Sequence, residues 1–70
     1  MLREIRIKHG IRLQELATSA RLSRVTVEKA ERGQAVSSVS ANRIVDALSR
    51  LIGQIYTIES LEIKISRREK

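Results

Sequence analysis

No cysteine occurs in this 70-residue chain, so neither a disulfide framework nor a thiolate metal site is available. That absence fits a reducing compartment. Phenylalanine and tryptophan are missing too, and Tyr56 is the lone aromatic residue. A core must therefore be built from Leu, Ile, Val and Ala, which suits small, closely packed helices. Proline is absent, and no low-complexity run or internal repeat occurs. No apolar run approaches the roughly 18 residues that a membrane span needs. The opening MLREIRIKHG lacks the apolar stretch of a secretory signal. These absences lead to the expectation of a soluble, cytoplasmic protein with no membrane partner.

Charge is what the chain has in surplus. The formal net charge is +6 and the isoelectric point is near 10.8. Residues 1–33 carry eight basic and four acidic side chains, and residues 34–70 carry six and four. The excess is thus larger in the first half. A small basic domain points to an anionic partner, of which nucleic acid is the commonest. The length allows one domain, which buries only about 60% of its unfolded surface. Domains this small often gain stability by dimerising.

Apolar spacing divides the chain into helices. Leu2, Ile5 and His9 stand at i, i+3 and i+7, one side of a first helix over residues 2–9. Leu13, Leu16, Ala17 and Ala20 repeat the pattern over 13–20. Arg21, Leu22 and Ser23 make a turn, with Ser23 as N-cap of a third helix over 24–32 that buries Val27 and Ala30. A loop follows, with Ser38 as the expected N-cap of a longer helix over 39–52. Ile44, Val45, Leu48, Leu51 and Ile52 mark its apolar face. Gly10, Gly33 and Gly53 close helices as residues able to turn left-handed.

The segment after Gly53 differs. Leu61, Ile63 and Ile65 alternate with Glu62 and Lys64, a period of two that predicts a strand. A helical reading through Ile55, Ile58 and Ile65 competes less well. A lone strand cannot satisfy its own backbone groups. The expected partner is the same strand of a second copy across a twofold axis, with Leu61, Ile63 and Ile65 as dimerisation residues. Residues 67–70 read as a solvated tail.

Residues 11–33 carry the functional signal: two short helices, a tight turn, and a basic face on the second helix. This is a layout for placing a helix in the DNA major groove. At 100° per residue, Val27, Ala30 and Glu31 share one side of the third helix. Val25, Glu28, Lys29 and Arg32 share the other, Thr26 is on the flank, and Ser23 and Arg24 stand at the start. Arg and Lys donate to guanine, Glu accepts from the cytosine amino group, and Val meets the thymine methyl. An ordinary solvated helix face would look similar; the preceding helix and turn set this one apart. Catalysis finds no support. His9 is the only histidine, and there is no metal-ligand spacing and no glycine-rich phosphate loop. No cofactor is expected, and the chain is read as a non-enzyme.

From about Leu2 to Leu48 the sequence resembles the lambda-repressor-like (Cro and phage repressor, or XRE) helix-turn-helix family. The resemblance rests on Ile5, Arg6, Gly10, Ile11, Glu15-Leu16-Ala17, Leu22-Ser23-Arg24, Thr26-Val27, Glu31-Arg32-Gly33 and Leu48. It implies a compact bundle of about five helices that binds operator DNA, mostly as a dimer. By this resemblance Arg6 and Glu31 form a buried ion pair tying the first helix to the third. Ser37, Ser38, Asn42 and Arg43 match phosphate contacts at the start of the fourth helix, where a helix N-terminus also suits an anion. For Arg43, plain solubility weighs equally. Two departures stand out. Leu13 replaces the glutamine common at the start of the second helix, leaving Arg12 foremost, and Gln14, as substitute phosphate contacts. Arg21 replaces the usual turn glycine.

The expected fold is therefore all-α: a four- to five-helix bundle with a helix-turn-helix over 1–53. A strand segment over 54–66, paired across a dimer, and the tail over 67–70 follow it. The expected function is a homodimeric, sequence-specific, repressor-type regulator of transcription binding double-stranded DNA. A strand after the bundle resembles some antitoxins of the family, which would add a toxin protein as partner. The alternative is a protein–protein interaction module that has lost specific DNA binding.

Overall fold

The computed structural model describes residues 1–66, and the tail at 67–70 lies outside them. Five helices follow one another: α1 (Leu2–Lys8), α2 (Leu13–Ala20), α3 (Arg24–Glu31), α4 (Ser38–Ile52) and α5 (Ile58–Leu61). Local hydrogen bonds set several of their starts. The Ser23 hydroxyl accepts the Thr26 N–H at 3.3 Å, and the Ser37 hydroxyl accepts the Ser40 N–H at 3.1 Å. At α2, Glu15 reaches back to accept the Arg12 N–H at 3.4 Å. The cap of α4 is thus Ser37 and not Ser38, which is already the first helical residue.

Two non-glycine residues adopt left-handed backbone angles: Arg21 (φ 60°) after α2 and Glu62 (φ 57°) after α5. Arg21 occupies the position where the turn calls for a glycine-like conformation, and it adopts that conformation despite its Cβ. For an L-residue this costs on the order of 1 kcal/mol.

The core follows from the small side chains. α2 packs most extensively on α4. Ala17 and Ala20 on one helix and Ala41 and Ala47 on the other are all buried, which lets the two backbones approach closely. Leu16, Val27, Ile44 and Leu48 fill the space between them and α3. Two helix-face expectations are corrected. Leu51 is 39% exposed, because the buried side of α4 turns through Ala41 and Ala47 instead. His9 is exposed, because α1 ends at Lys8 and leaves His9 as the C-cap beyond the last helical turn.

The expected strand is also corrected. Among the described residues no strand forms after Gly53. Thr57 and Ser60 exchange cap hydrogen bonds at 3.0 and 2.9 Å, nucleating the single turn of α5. Left-handed Glu62 then reverses the chain. Leu61 and Ile63 are only 1% and 6% exposed, so their side chains complete this chain's own core. Ile65, half-buried, makes a single parallel bridge to Val36 in the loop before α4. Tyr56, Ile58 and Ile65 are partly buried and pack against that same core.

One polar contact ties the first helix to the third. The Arg6 guanidinium donates through Nε to Glu31 Oε2 and through Nη2 to Glu31 Oε1 (3.2 Å), and its Nη1 donates to the Ile11 carbonyl at 2.9 Å. The two side chains are 12% and 6% exposed.

Two stability predictions follow from these contacts. Glu31→Ala leaves Arg6 unpaired in a mostly dehydrated site, and urea unfolding is expected to show a loss of about 3 kcal/mol or more. A joint Arg6→Met, Glu31→Leu replacement should recover most of that; a loss under about 1 kcal/mol in the single variant would deny the pair this role. Arg21→Gly relieves the left-handed strain and is expected to raise stability by about 0.5–1 kcal/mol, seen as a higher melting temperature. An unchanged or lower melting temperature would show that Arg21 is not strained.

Candidate nucleic-acid interface

α3 presents a cationic, partly apolar surface. Arg24, Val25, Lys29 and Arg32 are exposed, with Val25 at 63%. Ser23 is exposed at the helix start, its hydroxyl 3.1 Å from that of Thr26, so the two share a hydrogen bond as well as the cap. Thr26 and Glu28 are half-buried on opposite flanks. On the opposite side of the helix from this surface, Val27 and Ala30 are buried. The surface is thus held at a fixed rotation about the helix axis.

The Thr26 flank opens into a cleft shared with the start of α4. Thr26, Lys29, Ser37, Ser38, Ser40 and Ser66 line it, together with Ala35 and Val36. The lining holds an ammonium and five hydroxyls and no carboxylate. It also includes the N-terminal end of the 15-residue α4, whose first N–H groups have no partner within the helix and whose dipole places partial positive charge there. Hydroxyl donors, an ammonium and a helix N-terminus together suit a phosphate oxygen.

The Glu28 flank meets α1. Here Glu28, Glu31 and Arg32 of the α3 region stand with Arg3, Arg6 and Leu13. Leu13 packs against the core from this side. Arg3 was not among the expected site residues; its signal was the i, i+3 spacing from Arg6 on a short helix. It adds a cation beside Glu28 and Arg32.

The remaining candidate phosphate residues are placed as follows. Arg12 is exposed just before α2. Gln14 donates to the Thr18 hydroxyl at 3.1 Å, one turn along α2. Asn42 donates to the Ser38 carbonyl at 2.9 Å, within α4. Arg43 reaches the Arg21 carbonyl at 3.4 Å and shares a separate cleft with Ser19, Arg21, Asp46 and Arg50. The structure thus brings Ser37 and Ser38 together with Thr26 and Lys29, and sets Arg43 apart from them. Ser40 and Ser66 were missed. Ser40 follows Ser37 at the i+3 spacing of a capping pair, a signal the sequence does carry. Ser66 reaches the cleft through a bridge between distant segments, which no local pattern reveals.

Among the described residues no group of three or more His, Cys, Asp or Glu side chains is placed to hold a metal ion. No helix there is long and apolar enough to cross a membrane.

A helix-turn-helix family model matches residues 2–53, the span from α1 through α4. No curated protein and no solved structure matches the chain. With the helix pair, the turn and the exposed α3 face all inside the matched span, the chain belongs to the lambda-repressor-like (XRE) helix-turn-helix family of DNA-binding regulators.

Proposed function

We propose that the protein is a sequence-specific, repressor-type regulator that reads operator DNA as a homodimer. The observation that carries this reading is the continuity of the α3 face with the anion-suited cleft at the start of α4. α3 enters the major groove. Arg24, Val25, Lys29 and Arg32 are its principal base-reading residues, with Ser23, Thr26 and Glu28 at the edges. Ser37 and Ser38 grip the phosphate backbone beside them, and Arg12 grips it from the start of α2. Gln14 and Asn42 join by exchanging their present partners for phosphate. Arg43 acts in a different way, by holding the carbonyl end of the turn.

Two half-sites about one helical turn apart, roughly 34 Å, suit a twofold pair of such domains. The support for a homodimer lies in the small size of the domain and in the apolar residues left in solvent past the middle of α4, Leu51 at 39% and Ile55 at 94% exposure. A domain with so little interior space beyond its core works by occupying the operator, which favours repression. The antitoxin reading leaned on a C-terminal strand, and that segment folds into α5 and one bridge. The reading is therefore carried without a toxin partner. The interaction-module alternative leaned on Arg21 and Leu13. Arg21 keeps the left-handed turn, and Leu13 packs against the core.

Fluorescence anisotropy with duplex from upstream of the protein's own gene, against a scrambled duplex near physiological salt, tests the reading. A preference of about a thousandfold or more is expected. In the Lys29→Ala, Arg32→Ala protein, affinity should fall by at least about tenfold and the preference should shrink, since each good base contact contributes about 1–3 kcal/mol. Weak binding that is equal for both duplexes, after a random-sequence selection has also yielded no preferred site, would overturn it.

A further inference from the structure

Arg3 stands outside the residues that the DNA-binding reading uses. It is exposed on α1, three residues before Arg6, and lines the cleft on the Glu28 flank of α3 with Arg6, Leu13, Glu28, Glu31 and Arg32. Arg6 and Glu31 are bonded to each other there. That leaves two guanidinium groups, of Arg3 and Arg32, against the single carboxylate of Glu28. Among the described residues none of these three is in an ion pair. The cleft therefore holds a surplus of positive charge that no side chain of this chain takes up.

The two flanks of α3 are built alike. Successive residues step about 100° round a helix, so Thr26 and Glu28 stand about 160° apart. On the Thr26 flank the cation of α3 is Lys29, and the facing wall is the start of α4. On the Glu28 flank the cation is Arg32, and the facing wall is α1 with Arg3. A helix with its side chains is about 10–12 Å across, and the major groove is about 12 Å wide. A helix lying in that groove therefore meets a sugar-phosphate backbone on each side, one from each strand. With one strand held against the start of α4, the other runs along the α1 side.

We propose that Arg3 is a phosphate-binding residue of the DNA interface, gripping the strand opposite the one held by Ser37 and Ser38. Its planar fork of donors suits a two-point contact with a phosphate. Arg3 and Arg32 also balance the Glu28 carboxylate, which would otherwise meet a row of phosphates with no cation beside it. The contact adds affinity and salt dependence without base preference, because it is ionic and made to the backbone. The proposal rests on the DNA-binding reading above and extends it to the second strand.

The test compares the full chain with Arg3→Gln and Lys8→Gln, in anisotropy titrations over a salt series on the preferred and scrambled duplexes. Each variant removes one positive charge from α1 and keeps a good helix former. Lys8 is exposed and does not line the cleft. Arg3→Gln is expected to bind both duplexes about threefold to tenfold more weakly near physiological salt. Its slope of log affinity against log salt should be flatter by about 0.9, with the preference and the melting temperature unchanged. Lys8→Gln should change affinity by less than about twofold, since a charge away from the contact is screened. Neutral methylphosphonate linkages, placed singly along each strand of the preferred duplex, then locate the contact. The unaltered chain should be weakened by at least about threefold at a phosphate on each strand. Arg3→Gln should lose that sensitivity on one strand only, and Ser38→Ala on the other.

An unchanged affinity and slope in Arg3→Gln would overturn the contact while leaving DNA reading by α3 intact. An equal loss in Lys8→Gln would also overturn it, since that would be an effect of net charge. A lost preference with no change in slope would overturn it as well, because Arg3 would then act on Glu28 and not on phosphate. Lost sensitivity on the same strand in Arg3→Gln and Ser38→Ala would overturn the placement on opposite strands. Failure of the unaltered chain to bind any duplex would remove the DNA-binding reading itself, and the Arg3 contact with it.

Discussion

The Arg6–Glu31 pair is the contact on which the orientation of the exposed α3 face depends. α1 is only seven residues long, with Leu2 as its one fully buried side chain. Apolar packing alone leaves such a short helix free to rotate or slide. The guanidinium removes that freedom because it makes three directed contacts, two to Glu31 at the end of α3 and one to the Ile11 carbonyl in the loop before α2. Its planar fork imposes direction as well as distance. A mostly dehydrated ion pair is weak evidence for stability, since well-packed apolar residues often do as well. Its value here is in register. Glu31 is held on the core side, so the residues half a turn round α3 are set facing outward.

The core shows how a short chain without phenylalanine or tryptophan is completed. Alanine-faced helices bring α2 and α4 close, but small side chains bury little area per residue. The deficit is met by the segment after Gly53. Leu61 and Ile63 reach the core because α5 is one turn long and Glu62 reverses the backbone directly after it. These are the residues that a dimer strand would have needed outside. Faced with a choice between filling its own interior and offering a strand edge, a 70-residue domain gains more from the interior.

The helices carrying the candidate interface were legible because their signals are local. The i, i+3, i+4, i+7 stripe from Leu13 to Ala20 gives α2, and Ser23 gives the cap of α3. The side of α3 that holds Val27 and Ala30 follows from 100° steps alone. Two errors were local but ambiguous. Ser37 and Ser38 are adjacent candidates for one cap, and Leu61, Ile63 and Ile65 alternate in both a strand and a helix end followed by a left-handed residue. The rest was illegible for a different reason. Arg43 against the Arg21 carbonyl, Arg50 against the Ser19 carbonyl and Ser66 beside Ser37 are contacts between residues 22 to 31 positions apart. Spacing rules do not reach across such separations.

The same long-range contacts explain how the turn tolerates arginine where glycine is usual. The carbonyls at the end of α2 lack partners within their helix and carry partial negative charge. Two guanidinium groups from α4 meet them, Arg50 at Ser19 and Arg43 at Arg21. These bonds hold the left-handed backbone from outside, offsetting a conformational cost on the order of 1 kcal/mol that glycine would avoid. α4 therefore sets the interface at both ends. Its N-terminus forms the anion-suited wall beside α3, and its arginines further along fix the turn from which α3 departs. A shift of α4 relative to α2 would therefore disturb both the anion-suited wall and the turn that precedes α3.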